Sequence, residues 1–189
     1  MDGGRHAERR SSRGSLHGKS ALTCPVSRCS FQHKKGIPVE IRDEHRIDAP
    51  VEKVWAALND PEVLQICIPG CERLEKSTDT DMSATVVLKV GPIKARFEGS
   101  VQLCDLNPPC SYTIVGEGKG GVAGFAKGSA DVTLTEQADG GTLLRYNVKV
   151  DIGGKIAQLG SRLIDSTARK LSAQFFSKFV SSLDKETAF

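Results

Sequence analysis

The alternation of apolar and polar residues begins abruptly near residue 39 and predicts that the first folded element is a β-strand. Val39, Ile41 and Ile47 alternate with charged residues, and this period of two is typical of a strand with one face in water. Residues 1–36 show neither this period nor the period of 3.6 that marks an amphipathic helix. We therefore expect the folded domain to span residues 37–189.

Two short helices are predicted directly after this strand. The apolar positions of the first fall on one face, at intervals of three and four residues: Val51, Val54, Trp55 and Leu58. Asp48-Ala49-Pro50 gives that helix a start, because an Asx residue followed by proline is typical of a first turn. Asp60 is the expected N-cap of the second helix, and Pro69-Gly70 ends it in a tight turn.

Five further segments alternate with a period of two and predict a run of antiparallel strands. They span residues 84–90, 93–103, 111–117, 126–135 and 144–150. Turn sequences separate them at Gly91-Pro92, Asn107-Pro108-Pro109 and Asp139-Gly140-Gly141.

A one-sided helix of about 28 residues, about 42 Å long, is predicted from Lys155 or Ile156 to Leu183. A sheet with one apolar face needs a cover, and this helix is the expected one. The order of elements therefore predicts an α+β fold: a curved antiparallel sheet of about six or seven strands, two short helices and a long C-terminal helix.

The stretch Val115–Gly128 contains six glycines in fourteen residues and could be mistaken for a phosphate-binding loop. Such a loop needs a helix after it, so that backbone N–H groups converge on the anion. The residues after Gly121 instead alternate with a period of two. We therefore expect the glycines to allow a hairpin and bent strands, and to leave space where side chains would stand.

Space behind a bent sheet that a helix covers favours a cavity for a hydrophobic ligand. The alternative, a solid core, stays open at this point because the same residues would serve as filling. The residues expected to line the cavity are mostly apolar: Trp55, Phe97, Val101, Tyr112, Phe125, Tyr146, Leu159, Leu163 and Ile164.

The charge is concentrated at the N-terminus. Residues 1–36 hold eight of the 26 basic residues and two of the 23 acidic ones, a net +6, which leaves the rest of the chain at −3. This segment has too little apolar surface to offset its ordering entropy and is expected to be a disordered tail. Arg9-Arg10 resembles an export signal, but no apolar run follows. An arm that binds anionic lipid or nucleic acid is the functional alternative to an inert tail.

The cysteines and the absence of an apolar run long enough to span a bilayer favour a cytoplasmic protein. Cys24-x4-Cys29-x3-His33 and Cys67-x3-Cys71 lack the paired spacing of a structural zinc site, so no metal site is expected. Cys67, Cys71 and Cys104 are expected to be small buried hydrophobes beside turns.

Catalytic signatures are scarce because the predicted domain contains one histidine, His45. Asp43 lies two residues away on the same strand face, where a carboxylate could set the tautomer of the imidazole. An acid/base pair of His45 and Asp43 is one interpretation, and an ordinary polar contact near the strand end is the other.

Several segments resemble one protein family over about Val39 to Val180. They are Ile47–Trp55, Leu58–Pro61, Ile68–Glu72, Lys89–Lys94, Gly118–Gly121, Gly124–Gly128 and Gln158–Ile164. The likeness is to the carbon monoxide dehydrogenase CoxG family, of the START/Bet v 1-like helix-grip (SRPBCC) superfamily. His45, where an aromatic or apolar residue is expected, and the basic tail depart from the family pattern.

The resemblance implies a helix-grip fold around a hydrophobic cavity in a non-catalytic accessory protein. Its partner would be a molybdenum hydroxylase of the carbon monoxide dehydrogenase type, linked to the inner face of the cell membrane or to the respiratory chain. We expect a quinone or lipid ligand, no covalently bound cofactor and no nucleic acid partner. Two alternatives are a cyclase or dehydratase that uses the same cavity, and a scaffold whose tail does the binding.

Overall fold

Seven antiparallel strands form one sheet in the computed structural model, which describes residues 36–185. Their bounds are β1 Ile37–Ile47, β2 Cys71–Lys76, β3 Asp81–Val90, β4 Ile93–Asn107, β5 Ser111–Lys119, β6 Phe125–Glu136 and β7 Thr142–Gly153. The order across the sheet is β1-β7-β6-β5-β4-β3-β2, so only the β1–β7 pair joins strands distant in sequence. The α+β fold class is confirmed. Except for Gly36, the tail predicted for residues 1–36 lies outside the described residues.

The edge strand β2 is the one strand that the alternation did not predict. Four of its six residues are charged, so it shows no apolar face. Its register with β3 also shifts between Cys71 and Arg73, which breaks the period of two. Charged side chains on an edge strand hinder pairing with other chains.

Within residues 36–185, three α-helices accompany the sheet: α1 Val51–Leu58, α2 Pro61–Cys67 and α3 Ser161–Lys185. The cap of α2 is confirmed, since Asp60 Oδ1 accepts from the N–H of Glu62 at 2.8 Å. Helix α1 begins directly after the predicted start sequence Asp48-Ala49-Pro50, but Asp48 does not cap it. Pro50 occupies the N-cap position and no side chain caps this helix.

The start of α3 also differs from the prediction. Residues Ala157–Leu159 form a short 3₁₀ turn, and the helix begins after Gly160 rather than at Lys155 or Ile156. Gly160 has a φ of 87°, a left-handed conformation that cannot continue a right-handed helix. Ile156, one of the two residues at which the helix was predicted to begin, is nevertheless buried.

Two apolar clusters hold α3 against the sheet, one near each end of the helix. Phe176, Phe179 and Leu183 join the larger cluster with residues of α1, β1 and β7. Ile164 joins the smaller cluster, which includes Ile156. The middle of α3 is therefore held over the inner face of the sheet between two packed regions.

The glycine-rich stretch joins two strands, as predicted. β5 ends at Lys119, a 3₁₀ turn covers Gly121–Ala123, and β6 follows at once. A Cβ on Gly118 would meet no atom nearer than 4.0 Å, so this glycine does leave space. A Cβ on Gly128 would lie 2.0 Å from the carbonyl oxygen of Lys149. At Gly128 the absence of a side chain instead allows the backbone of β7 to approach closely.

Candidate functional site

A cavity of about 670 Å³ lies between the inner face of the sheet and α3. Its wall takes residues from β2 to β7, from α1 and α2, and from the first half and middle of α3. Small-molecule sites in proteins have volumes of about 300–1,000 Å³, so the space suits one ligand. The structure thus decides between the two interpretations left open by the sequence, a cavity and a solid core.

The wall of the cavity is almost entirely apolar. The inward positions of the strands supply side chains such as Leu88, Val101, Ile114 and Val148. Within residues 36–185, no Asp, Glu, Lys or Arg side chain lines the space. Because burying an unpaired charge is costly, a ligand held here would be largely apolar and uncharged.

Six of the nine residues predicted to line the cavity are part of its wall. They are Phe97, Val101, Tyr112, Phe125, Tyr146 and Ile164. Phe97, Val101 and Tyr146 were found from the period of two, which sorts the faces of a sheet independently of its exact register with the neighbours.

The other three predicted residues, Trp55, Leu159 and Leu163, do not line the cavity. Trp55 packs behind the wall, with its ring edge-on to that of Tyr112 at a centroid distance of 5.2 Å. Leu159 and Leu163 lie before α3 and in its first turn, against the turn at Gly91, and Leu163 is 36% exposed. The late start of α3 moves both leucines away from the positions that a continuous helix would give them.

Sequence reasoning missed several wall residues, among them Met82, Ile114 and Phe176. Met82 lies at the start of β3, which begins three residues earlier than predicted. Ile114 lies two residues after Tyr112 on the same strand and so on the same face, which means that the strand pattern could have identified it. Phe176 follows Phe175 directly, and both line the cavity, although neither was among the nine residues predicted for its wall.

Two tyrosines belong to the wall, and their hydroxyls differ in their partners. The hydroxyl of Tyr146 on β7 lies 2.6 Å from that of Ser172 on α3. Burial, together with the charge of Asp43, raises the pKa of Tyr146, although the bond to Ser172 opposes this shift. Burial alone raises the pKa of Tyr112 far above its usual range. Both groups are therefore neutral near pH 7.

The candidate acid/base pair does not lie on the cavity wall. His45 Nε2 and Asp43 Oδ2 are 4.0 Å apart, beyond hydrogen-bonding distance, and Asp43 is largely exposed. The imidazole instead stacks on the ring of Phe176, with the centroids 3.9 Å apart. Its Nε2 is buried and has no hydrogen-bond partner in the described part of the chain. Asp43 thus does not orient the imidazole in this arrangement.

The cysteines of the folded domain differ in burial. Cys67 is fully buried as expected, whereas Cys71 and Cys104 are only partly buried. Burial raises the pKa of the Cys67 and Cys71 thiols, which keeps them protonated. Within residues 36–185, no group of three or more His, Cys, Asp or Glu side chains is arranged so that it could hold a metal ion. The sequence Cys24-x4-Cys29-x3-His33 lies outside that range.

An antiparallel sheet and a C-terminal helix that enclose an apolar cavity define the START/Bet v 1-like helix-grip class. The chain belongs to the carbon monoxide dehydrogenase CoxG family, whose sequence model matches residues 44–184. The resemblance seen in the sequence is thereby confirmed. No curated protein sequence matches the chain.

Solved structures support the same fold. A conserved protein from Geobacillus kaustophilus is 29% identical, with a TM-score of 0.73, over 78% of this chain and 96% of its own. A START superfamily protein from Mycobacterium smegmatis is 10% identical, with a TM-score of 0.58, over 77% and 97%. The Zhui aromatase/cyclase from Streptomyces sp. R1128 is also 10% identical, with a TM-score of 0.59, over 80% and 96%. At this identity the last two show the fold alone.

None of the helices within residues 36–185 is both long enough and apolar enough to cross a membrane.

Proposed function

We propose that this chain is a non-catalytic carrier of a hydrophobic molecule, a quinone or another lipid, for a carbon monoxide dehydrogenase type molybdenum hydroxylase. The observation that carries the proposal is the apolar cavity of about 670 Å³ beneath α3. Membership of the CoxG family supports the choice of enzyme system. In this role the chain links the hydroxylase to the membrane or the respiratory chain, and the redox centres belong to the partner.

The chemistry of the wall supports a neutral, mostly hydrocarbon guest. Apolar contact over most of the surface gives affinity, because each buried CH₂ group contributes about 0.8 kcal/mol. The few hydroxyls of the wall, chiefly those of Tyr112 and Tyr146, give polar contacts to one part of the guest. A lipid or a quinone with an apolar chain has this combination of properties.

Occupancy of the cavity is tested by extracting the purified full chain with organic solvent and analysing the extract by mass spectrometry. The variant Ala168→Trp places a large ring in the cavity from the middle of α3, since Ala168 lines it. The matched control is Ala173→Trp, an exposed position of the same helix. We expect a hydrophobic guest from the wild type and from the control, and a large loss from Ala168→Trp. Equal recovery from all three proteins, or an empty wild type with no affinity for added quinone, would contradict the proposal.

The link to the hydroxylase is tested separately by reconstitution. A carbon monoxide dehydrogenase type hydroxylase is mixed with quinone-containing vesicles and carbon monoxide, and quinone reduction is followed. The wild-type chain should accelerate the reaction, whereas Ala168→Trp should not. A chain that carries quinone but leaves this rate unchanged would keep the carrier function and exclude this partner.

A further inference from the structure

Tyr112 occupies a central position on the cavity wall. It is inward on β5 and 4% exposed. Its register partner on β6 is Val132, which in turn pairs with Tyr146 on β7, so the two tyrosines lie at one level of the sheet. The ring of Trp55 packs edge-on against it at 5.2 Å and fixes the ring of Tyr112 in place.

The hydroxyl of Tyr112 makes no hydrogen bond to any of the described residues, although the residue is buried. Tyr146 offers a direct comparison, because its hydroxyl pairs with Ser172 at 2.6 Å. The hydroxyl is not one of the enclosed polar atoms without a partner, which in the described chain are His45 Nε2 and Asn147 Oδ1. Since Tyr112 lines the cavity and is otherwise buried, its hydroxyl is open to the cavity and can bond to a molecule that enters it.

We propose that the Tyr112 hydroxyl donates a hydrogen bond to a carbonyl oxygen of the bound hydrophobic ligand. A carbonyl accepts but cannot donate, and it adds no charge to an apolar space. The ligand class is therefore a neutral molecule with a carbonyl group set against β5 and an apolar body that fills the rest of the cavity. This inference rests on the proposed carrier function, and it adds one specificity-determining residue to it. The raised pKa of Tyr112 is consistent with this role, because the group remains a donor at any physiological pH.

The test compares two probes that differ in one carbonyl group, benzophenone and diphenylmethane. Their affinities for the full chain are measured by equilibrium dialysis for the wild type and for Tyr112→Phe. Thr113→Val is the matched control, because it removes a hydroxyl from the same strand where that group bonds to Asp131 at 3.1 Å. We expect Tyr112→Phe to weaken benzophenone binding about three- to tenfold, the contribution of one neutral hydrogen bond. Diphenylmethane binding should not change, and Thr113→Val should change neither.

The outcomes separate this inference from the carrier function. If Tyr112→Phe leaves benzophenone affinity unchanged, or weakens both probes equally, the carrier function stands and the role of Tyr112 is overturned. If the wild type binds neither probe, the carrier function fails and this inference fails with it. The melting temperature of Tyr112→Phe should equal or exceed that of the wild type. A clearly lower value would assign the hydroxyl a structural partner and would also overturn the proposal.

Discussion

The hydroxyl of Tyr146 and the hydroxyl of Ser172 lie 2.6 Å apart and join β7 to α3 across the cavity wall. Most other contacts between α3 and the inner face of the sheet are apolar and non-directional. A hydrogen bond requires a particular distance and angle, so this pair fixes the position of the middle of α3 over the cavity.

Ser172→Ala should therefore loosen α3 without filling or enlarging the cavity much. We expect the free energy of unfolding to fall by about 1 kcal/mol, the usual contribution of one hydrogen bond, and a bound ligand to exchange faster. Urea unfolding and the rate of ligand release measure the two effects. Ser177→Ala, at an exposed position of the same helix, is the control and should change neither. Identical release rates for the two variants would show that the pair does not restrain the helix.

His45→Phe should stabilise the protein. A phenyl ring can keep the stack on Phe176, whose centroid lies 3.9 Å from that of the imidazole. The substitution removes the buried Nε2 that has no hydrogen-bond partner in the described chain. We expect the free energy of unfolding to rise by about 1 kcal/mol in urea unfolding. Asp43→Asn is the control and should have little effect, since the carboxylate is 56% exposed and 4.0 Å away.

The same variant tests the enzymatic alternative. If the cavity catalysed a cyclisation or dehydration with His45 as the base, His45→Phe would abolish that turnover. A rise in stability with no loss of any measured turnover would leave the imidazole without a catalytic role.

The sequence predicted the strands because burial on one face leaves a local signature, the period of two. Phe97, Val101 and Tyr146 were placed on the cavity side from this parity alone. The short edge strand β2 has no apolar face, and its register shifts at Cys71, so the signature is absent. The start of α3 depends on the φ of Gly160, which an apolar stripe that continues through the break does not reveal.

The pattern alone could not distinguish a cavity from a solid core, because residues that line a cavity and residues that fill a core are of the same types and occur at the same spacing along the sequence. What separates them is the distance between the sheet and the middle of α3, and this is set by the two clusters at the ends of the helix. The misplacement of Leu159 and Leu163 has a different cause. Both were assigned to a continuous helix that does not exist before Ser161.

Substitution by alanine should be tolerated at Gly118 but should destabilise the protein at Gly128. A Cβ at Gly128 would lie 2.0 Å from the carbonyl oxygen of Lys149, so Gly128→Ala must displace backbone. We expect it to lower the free energy of unfolding by about 3 kcal/mol. Gly118→Ala should be tolerated, because the nearest atom lies 4.0 Å away, and its methyl group enters the cavity. Thermal unfolding of both variants checks the prediction, and equal losses would contradict it.

Alkaline unfolding should reveal the burial of Tyr112. Burial raises the pKa of this phenol in the folded state, whereas in the unfolded chain it stays near its usual value of about 10. Below about pH 10 the phenol is neutral in both states, and its contribution to stability is fully present. As the pH rises further, the unfolded chain ionises and the folded chain does not, so the free energy of unfolding falls. Tyr112→Phe removes this contribution, and its urea unfolding curves should therefore lose less stability than those of the wild type between about pH 9 and about pH 11. Parallel losses in the two proteins would mean that folding does not raise the pKa of Tyr112.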